Sequence, residues 1–196
     1  MWNAISNVGD AALTIPVAMT CAVWLALSDR ALAMRWTLLL AAGMALVGVT
    51  KILYAGCGIE ISAIGFRVIS GHSTLSTAVW TVTIALLCRG AGSRVLAGAA
   101  CGLLIGALTA IARLFDHAHT VPEVIAGWLL GAAVAALFIR SLTRSDVKLF
   151  RPAVAAIGLS LVTTLAYGHH APFQAMIEDY SPGICSGVLA DFFGRF

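Results

Sequence analysis

Two stretches of the chain carry residues able to do chemistry, and both stand at the ends of long apolar runs. FRVISGHS, residues 66–73, holds Arg67, Ser70, Gly71 and His72; RLFDHAHTVPE, residues 113–123, holds Arg113, Asp116, His117, His119 and Glu123. Lys51 closes another apolar run. Three cations, Lys51, Arg67 and Arg113, with the backbone N–H groups of Ser70 and Gly71 at a helix N-terminus, suit a group bearing two or more negative charges, and phosphate fits. A histidine beside such a group can attack phosphorus, and a second can protonate the leaving oxygen. His119 and Glu123 are four residues apart and share a face of any helix. The carboxylate can then hold one ring nitrogen and leave the other free to attack, with His72 as the acid.

The elements that must position these residues are set by the solvent around them. Of 196 residues, 60% are hydrophobic and 11% charged, with mean hydropathy +0.96. A soluble core of that composition would need a larger polar shell than 12 Lys/Arg and 9 Asp/Glu provide. Apolar runs near 11–28, 36–52, 71–88, 95–112, 121–139 and 153–168 predict an all-α, polytopic transmembrane bundle of about six spans. Small residues in VLAGAACGLLIGALTAIA and AGWLLGAAVA predict close helix contacts inside the bundle. With no repeat and no long linker, residues 1–196 read as a single transmembrane domain. The opening MWNAISNVGD has no basic residue, so no cleavable signal is expected.

Six spans put the connections alternately on two sides. One side carries Arg30, Arg35, Arg89, Arg94, Arg140, Arg144, Lys148 and Arg151; the other carries Lys51, Arg67, Arg113 and Arg195 with most of the acids, Asp10 among them. The positive-inside rule makes the first side cytoplasmic and places both termini outside. Ionisable groups at the lip of a span are functional candidates. His117 and Asp116 read as local structure, and His169 and His170 as interfacial residues. No spacing recommends a metal site, and no cofactor is expected. Cys57 and Cys185 fall on the outer side, where a bridge would tie the tail 171–196 over the site.

These residues resemble the type 2 phosphatidic acid phosphatase superfamily, whose elements are a lysine and arginine-proline pair, then Pro-Ser-Gly-His, then Ser-Arg followed after five residues by His and after three more by Asp. Ser70, Gly71 and His72 match the second element; Arg113, His119 and Glu123 match the third, with Glu in place of Asp. Ile69 and Ala112 replace the family's proline and serine, and Arg67 stands in for the arginine of the first element beside Lys51. The likeness covers residues 51–123 and, through the span pattern, the bundle to 139. It implies a metal-independent phosphatase in which His119 is the nucleophile, Glu123 its orienter and His72 the acid, with Lys51, Arg67, Ser70, Gly71 and Arg113 holding phosphate.

The functional expectation is an integral membrane phosphatase that hydrolyses a lipid phosphate or diphosphate through a phosphohistidine, with undecaprenyl diphosphate as leading substrate. Its active site is expected on the extracytoplasmic face of the cell inner membrane. The partners are then the bilayer and a membrane lipid phosphate, not nucleic acid; sequence leaves the oligomeric state open. The alternatives are a lipid phosphotransferase using the same site and a transporter that only holds the anion. The charge asymmetry carries a direct test. A reporter active only in the cytoplasm, fused after Phe196, is expected to stay dark; a bright reporter reverses the topology and moves the site to the cytoplasmic face.

Overall fold

The computed structural model describes residues 2–172, 176–177 and 179–181. Among them the chain is helical: α1 (Trp2–Ser6), α2 (Ala11–Ala26), α3 (Arg30–Cys57), α4 (Gly71–Gly90), α5 (Val95–Phe115), α6 (Val121–Arg144) and α7 (Pro152–Ala166). The last six occupy the six apolar runs. The segment Trp2–Ala26 and helices α3, α5 and α6 are long and apolar enough to cross a membrane. Helix α7 has 15 residues. Helix α4 has 20, but its first turns are loaded with hydroxyls, Ser73, Thr74, Ser76 and Thr77, all buried.

A helix so polar must lie inside the bundle, and α4 does. It packs on α5 and α6 along one side and on α2 along another, while α3 joins α2 to α6 and α7 backs α2. Buried hydroxyls need acceptors, and those of the first turns find them nearby, whereas the Thr81 hydroxyl further along has no partner among the described residues. Thr74 and Thr77 donate to the carbonyls of Ser70 and Ser73 one turn back, and Ser76 pairs with Thr109 of α5 at 2.8 Å. The apolar core, including Leu13, Val17, Leu25, Leu86, Phe138 and Leu142, fills the rest of the contact between these helices. Indole N–H groups pin the layers: Trp36 to the Ala18 carbonyl at 3.0 Å, and Trp80 to that of Val8 at 2.9 Å.

Helix ends follow sequence cues. Asp29 caps α3 by accepting from Ala31 and Leu32, and Gly58, at φ 66°, ends it in a left-handed turn. Because consecutive helices alternate in direction, one end of the bundle collects the start of α2, the end of α3, the start of α4, the end of α5 and the start of α6. These are the segments bearing Asp10, Lys51, Ser70 to His72, Arg113 and Glu123.

Two glycines set how closely α4 is approached. A Cβ on Gly102 of α5 would fall on the Thr81 backbone, and one on Gly127 of α6 would meet the Ser70 carbonyl at 2.5 Å. The bridge considered for Cys57 and Cys185 lies outside the described residues; Cys21, Cys88 and Cys101 are free thiols. Gly102→Ala should cost about 1–3 kcal/mol, because backbone cannot swing aside as a flexible side chain would. Gly158→Ala on α7, where an added Cβ meets nothing within 4 Å, should not lower stability. Thermal unfolding of the two variants in one detergent checks this; equal midpoints refute the close approach.

Candidate active site

Glu123 is the third residue of α6 and is fully buried. A carboxylate there must be held by donors on all sides. Its Oε2 accepts the Thr120 N–H at 3.1 Å, completing a capping box with Thr120, and the His119 Nδ1–H at 2.8 Å. Its Oε1 accepts Arg67 N–H at 3.0 Å, Arg67 Nε–H at 3.2 Å and Val68 N–H at 3.4 Å. The Glu123 carbonyl takes the Ser70 N–H at 3.2 Å. One residue therefore starts α6, fixes the imidazole of His119 and ties down the strand of chain that leads into α4.

That last bond changes the part played by Ser70. Its amide is occupied by Glu123, and its hydroxyl caps α4 by accepting from Ser73. Ser70 is wholly buried beneath the site and shapes it from below. The amides at the head of α4 with no intrahelical carbonyl ahead of them are those of Gly71 and His72.

A cavity of about 810 Å³ opens at this end of the bundle. Lys51, Arg67, Gly71, His72, Arg113, His119 and Glu123 all line it, so of the residues given a catalytic or phosphate-binding part from the sequence only Ser70 is not among the lining. The cations are held apart by different anchors. Arg67, partly exposed, lies over the Tyr54 ring with its guanidinium carbon 5.8 Å from the centroid. Arg113 donates from Nη1 to the Ser6 hydroxyl at 2.9 Å, while its buried Nε has no protein partner among the described residues. Apart from Asp10 and Tyr54 the rest of the lining is apolar, with Ile15, Met44, Val47 and Leu75 continuing along α2, α3 and α4. His117 instead sits exposed at φ 53° in the turn after α5.

Some of the site was not foreseen. Asp10, assigned from sequence only to the outer side, is buried and lines the cavity. Its Oδ1 accepts from Ala12 N–H at 2.8 Å as the cap of α2 and from Ala171 N–H at 3.1 Å. Its Oδ2 lies 3.6 Å from His72 Nε2 and 3.2 Å from His170 Nδ1. His170, read as interfacial, is largely exposed and touches Asp10. The signal that could have found Asp10 is helix alternation, which sends the start of the first span to the same end as residues 51, 67–72 and 113–123.

The family model described as the PAP2 superfamily matches residues 54–146. A protein of Klebsiella pneumoniae titled "Uncharacterized 22.5 kDa protein in cps region" is 34% identical over 191 residues, covering 93% of this chain and 91% of the relative. The chain belongs to the PAP2 superfamily. No solved structure matches it. PAP2 proteins are generally phosphatases acting on lipid phosphates, so membership brings phosphatase-type chemistry to a membrane protein.

Burial pushes the His119 ring down to about 4 from its ordinary 6.5, outweighing the pull of the Glu123 carboxylate in the other direction. The ring is then neutral from pH 8 to 5, and protonating it becomes unfavourable to the folded state as pH drops below 6.5. With Nδ1–H given to Glu123, the lone pair on Nε2 is available to attack. In histidine-labelled protein in detergent, the His119 resonance should hold its neutral position down to about pH 5 and titrate near 4. Glu123→Gln removes the carboxylate that favours the charged ring and should move it lower still. A midpoint at or above 6.5 contradicts the burial of this ring.

Proposed function

We propose that this PAP2 protein is a membrane lipid phosphatase that cleaves a lipid phosphate or diphosphate through a phosphohistidine on His119. The observation that carries the reading is the buried His119–Glu123 pair in a cavity lined by the cations Lys51, Arg67 and Arg113 and by apolar residues of α2, α3 and α4. A phosphoryl group would sit among Lys51, Arg67, Arg113 and the leading amides of α4, where its oxygens meet preorganised positive charge. The apolar lining suits the hydrocarbon that follows the headgroup.

In the first step His119 Nε2 bonds to the terminal phosphorus as its P–O bond to the rest of the lipid breaks, the ester bond of a monophosphate or the bridging P–O bond of a diphosphate, and His72 gives the leaving oxygen of the lipid or lipid monophosphate its proton. In the second, water adds to the phosphorus, the P–N bond breaks, inorganic phosphate departs and the proton of the water returns to His72. The leading substrate is undecaprenyl diphosphate. The charge asymmetry supports an extracytoplasmic site in the cell inner membrane, since eight of the twelve basic residues fall on the opposite side.

Because side chains neutralise the phosphate in this scheme, chelator should leave turnover intact. Purified full-length protein in detergent is tested with chelator present on undecaprenyl diphosphate, phosphatidate, phosphatidylglycerol phosphate and lipid A. Release of inorganic phosphate is expected, with undecaprenyl diphosphate the preferred substrate. His119→Ala should lower kcat by at least about 10³-fold and abolish the acid-labile phosphoenzyme, while lipid binding persists. No phosphate from any substrate, or an active His119→Ala, overturns the proposal.

A further inference from the structure

Two histidines serve the proposed reaction, and each stands against a buried carboxylate. For His119 the carboxylate is Glu123, four residues on in the first turn of α6; for His72 it is Asp10, sixty-two positions earlier in the chain. We propose that Asp10 is a positioning residue for His72: it holds Nε2–H, fixes the ring, and leaves Nδ1 to deliver the proton to the leaving oxygen. The inference rests on the phosphatase reading of the same cavity.

The two oxygens of Asp10 divide their work. Oδ1 alone supplies the cap of α2 and the bond to Ala171, and a cap requires no more than one oxygen. Oδ2 makes no backbone bond recorded among the described residues and turns instead to two imidazoles, His72 at 3.6 Å and His170 at 3.2 Å. Serine, threonine or asparagine would cap α2 as well; only a carboxylate adds a negative charge beside the ring. The His72 side chain is 30% exposed, and the positive groups around it are Lys51 and Arg113. Both oppose a charged ring. Without Asp10 the acid form would face two cations and no anion, apart from the phosphate itself. The 3.6 Å separation is longer than a hydrogen bond and short enough to close when a leaving group takes up Nδ1.

Proton accounting is then complete. The imidazolium gives Nδ1–H to the leaving oxygen and becomes the neutral tautomer with Nε2–H toward Asp10. The attacking water restores the proton to Nδ1, and Asp10 stays ionised throughout.

The test compares kcat for phosphatidate, whose leaving alkoxide needs a proton, with kcat for 4-nitrophenyl phosphate, whose leaving group does not. Asp10→Asn keeps an oxygen for the cap and loses the charge. It should lower the phosphatidate to nitrophenyl ratio by about 10- to 100-fold, with KM within about threefold and an unchanged unfolding midpoint. His72→Ala should lower the same ratio, and adding Asp10→Asn to it should lower it no further. His170→Ala frees Oδ2 for His72 and should preserve the ratio. The proposal is overturned if Asp10→Asn slows both substrates alike, changes neither, multiplies the His72→Ala loss, or is copied by His170→Ala. If instead wild type hydrolyses neither substrate, the phosphatase reading itself falls and takes this one with it.

Discussion

A single buried carboxylate organises this molecule. Glu123 has no contact with solvent, and a charge in that position survives only if donors surround it. Five do, and they come from three directions: the turn before α6, the imidazole one helical turn away, and the stretch at 67–68. Satisfying the charge therefore assembles the site. The segment between α3 and α4 has almost no regular structure of its own, being held by a short 3-10 turn and one isolated bridge from Ile61 to Phe66. Its approach to Glu123 is what sets Arg67 at the cavity and aims the first turn of α4.

The second constraint is the polarity of α4. A helix with so many hydroxyls cannot face lipid without loss, so it becomes the axis on which α2, α5 and α6 are arranged. Its neighbours must come close enough to exclude solvent from those hydroxyls, and the small residues of α5 and α6 allow it. Packing and chemistry meet at Gly127, whose missing side chain lets α6 lie against Ser70 one turn from Glu123.

Much of this was legible in the residues, for definite reasons. Apolar runs mark helices by length, and α2 to α7 lie on them. The His119–Glu123 pair is written in a four-residue spacing, which the turn into α6 closes although His119 itself lies before the helix cap. What spacing cannot convey is contact between distant segments. The bond from Arg67 to Glu123 crosses 56 residues and that of Asp10 to His170 crosses 160. Asp10 was hidden for another reason: an aspartate just before an apolar run already has a sufficient explanation as a cap. The bond from the Ser70 amide to the Glu123 carbonyl was hidden because nothing local in the sequence indicates that this amide points toward α6.

The turn from Asp116 to Thr120 is clamped at several points. Ala118 N–H returns to the Arg113 carbonyl at 3.1 Å, His117 adopts a left-handed backbone, and the Thr120 hydroxyl reaches the Gly65 carbonyl at 2.9 Å. Surface connections ordinarily absorb insertions and deletions. This one works as a length gauge. One residue more or fewer would rotate Glu123 by about 100° around the axis of α6, since each helical residue turns by that amount. The imidazole, the Arg67 segment and the head of α4 would lose their common acceptor together. Among PAP2 chains that keep this arrangement, drift should therefore accumulate as substitutions within the turn, while its residue count stays invariant.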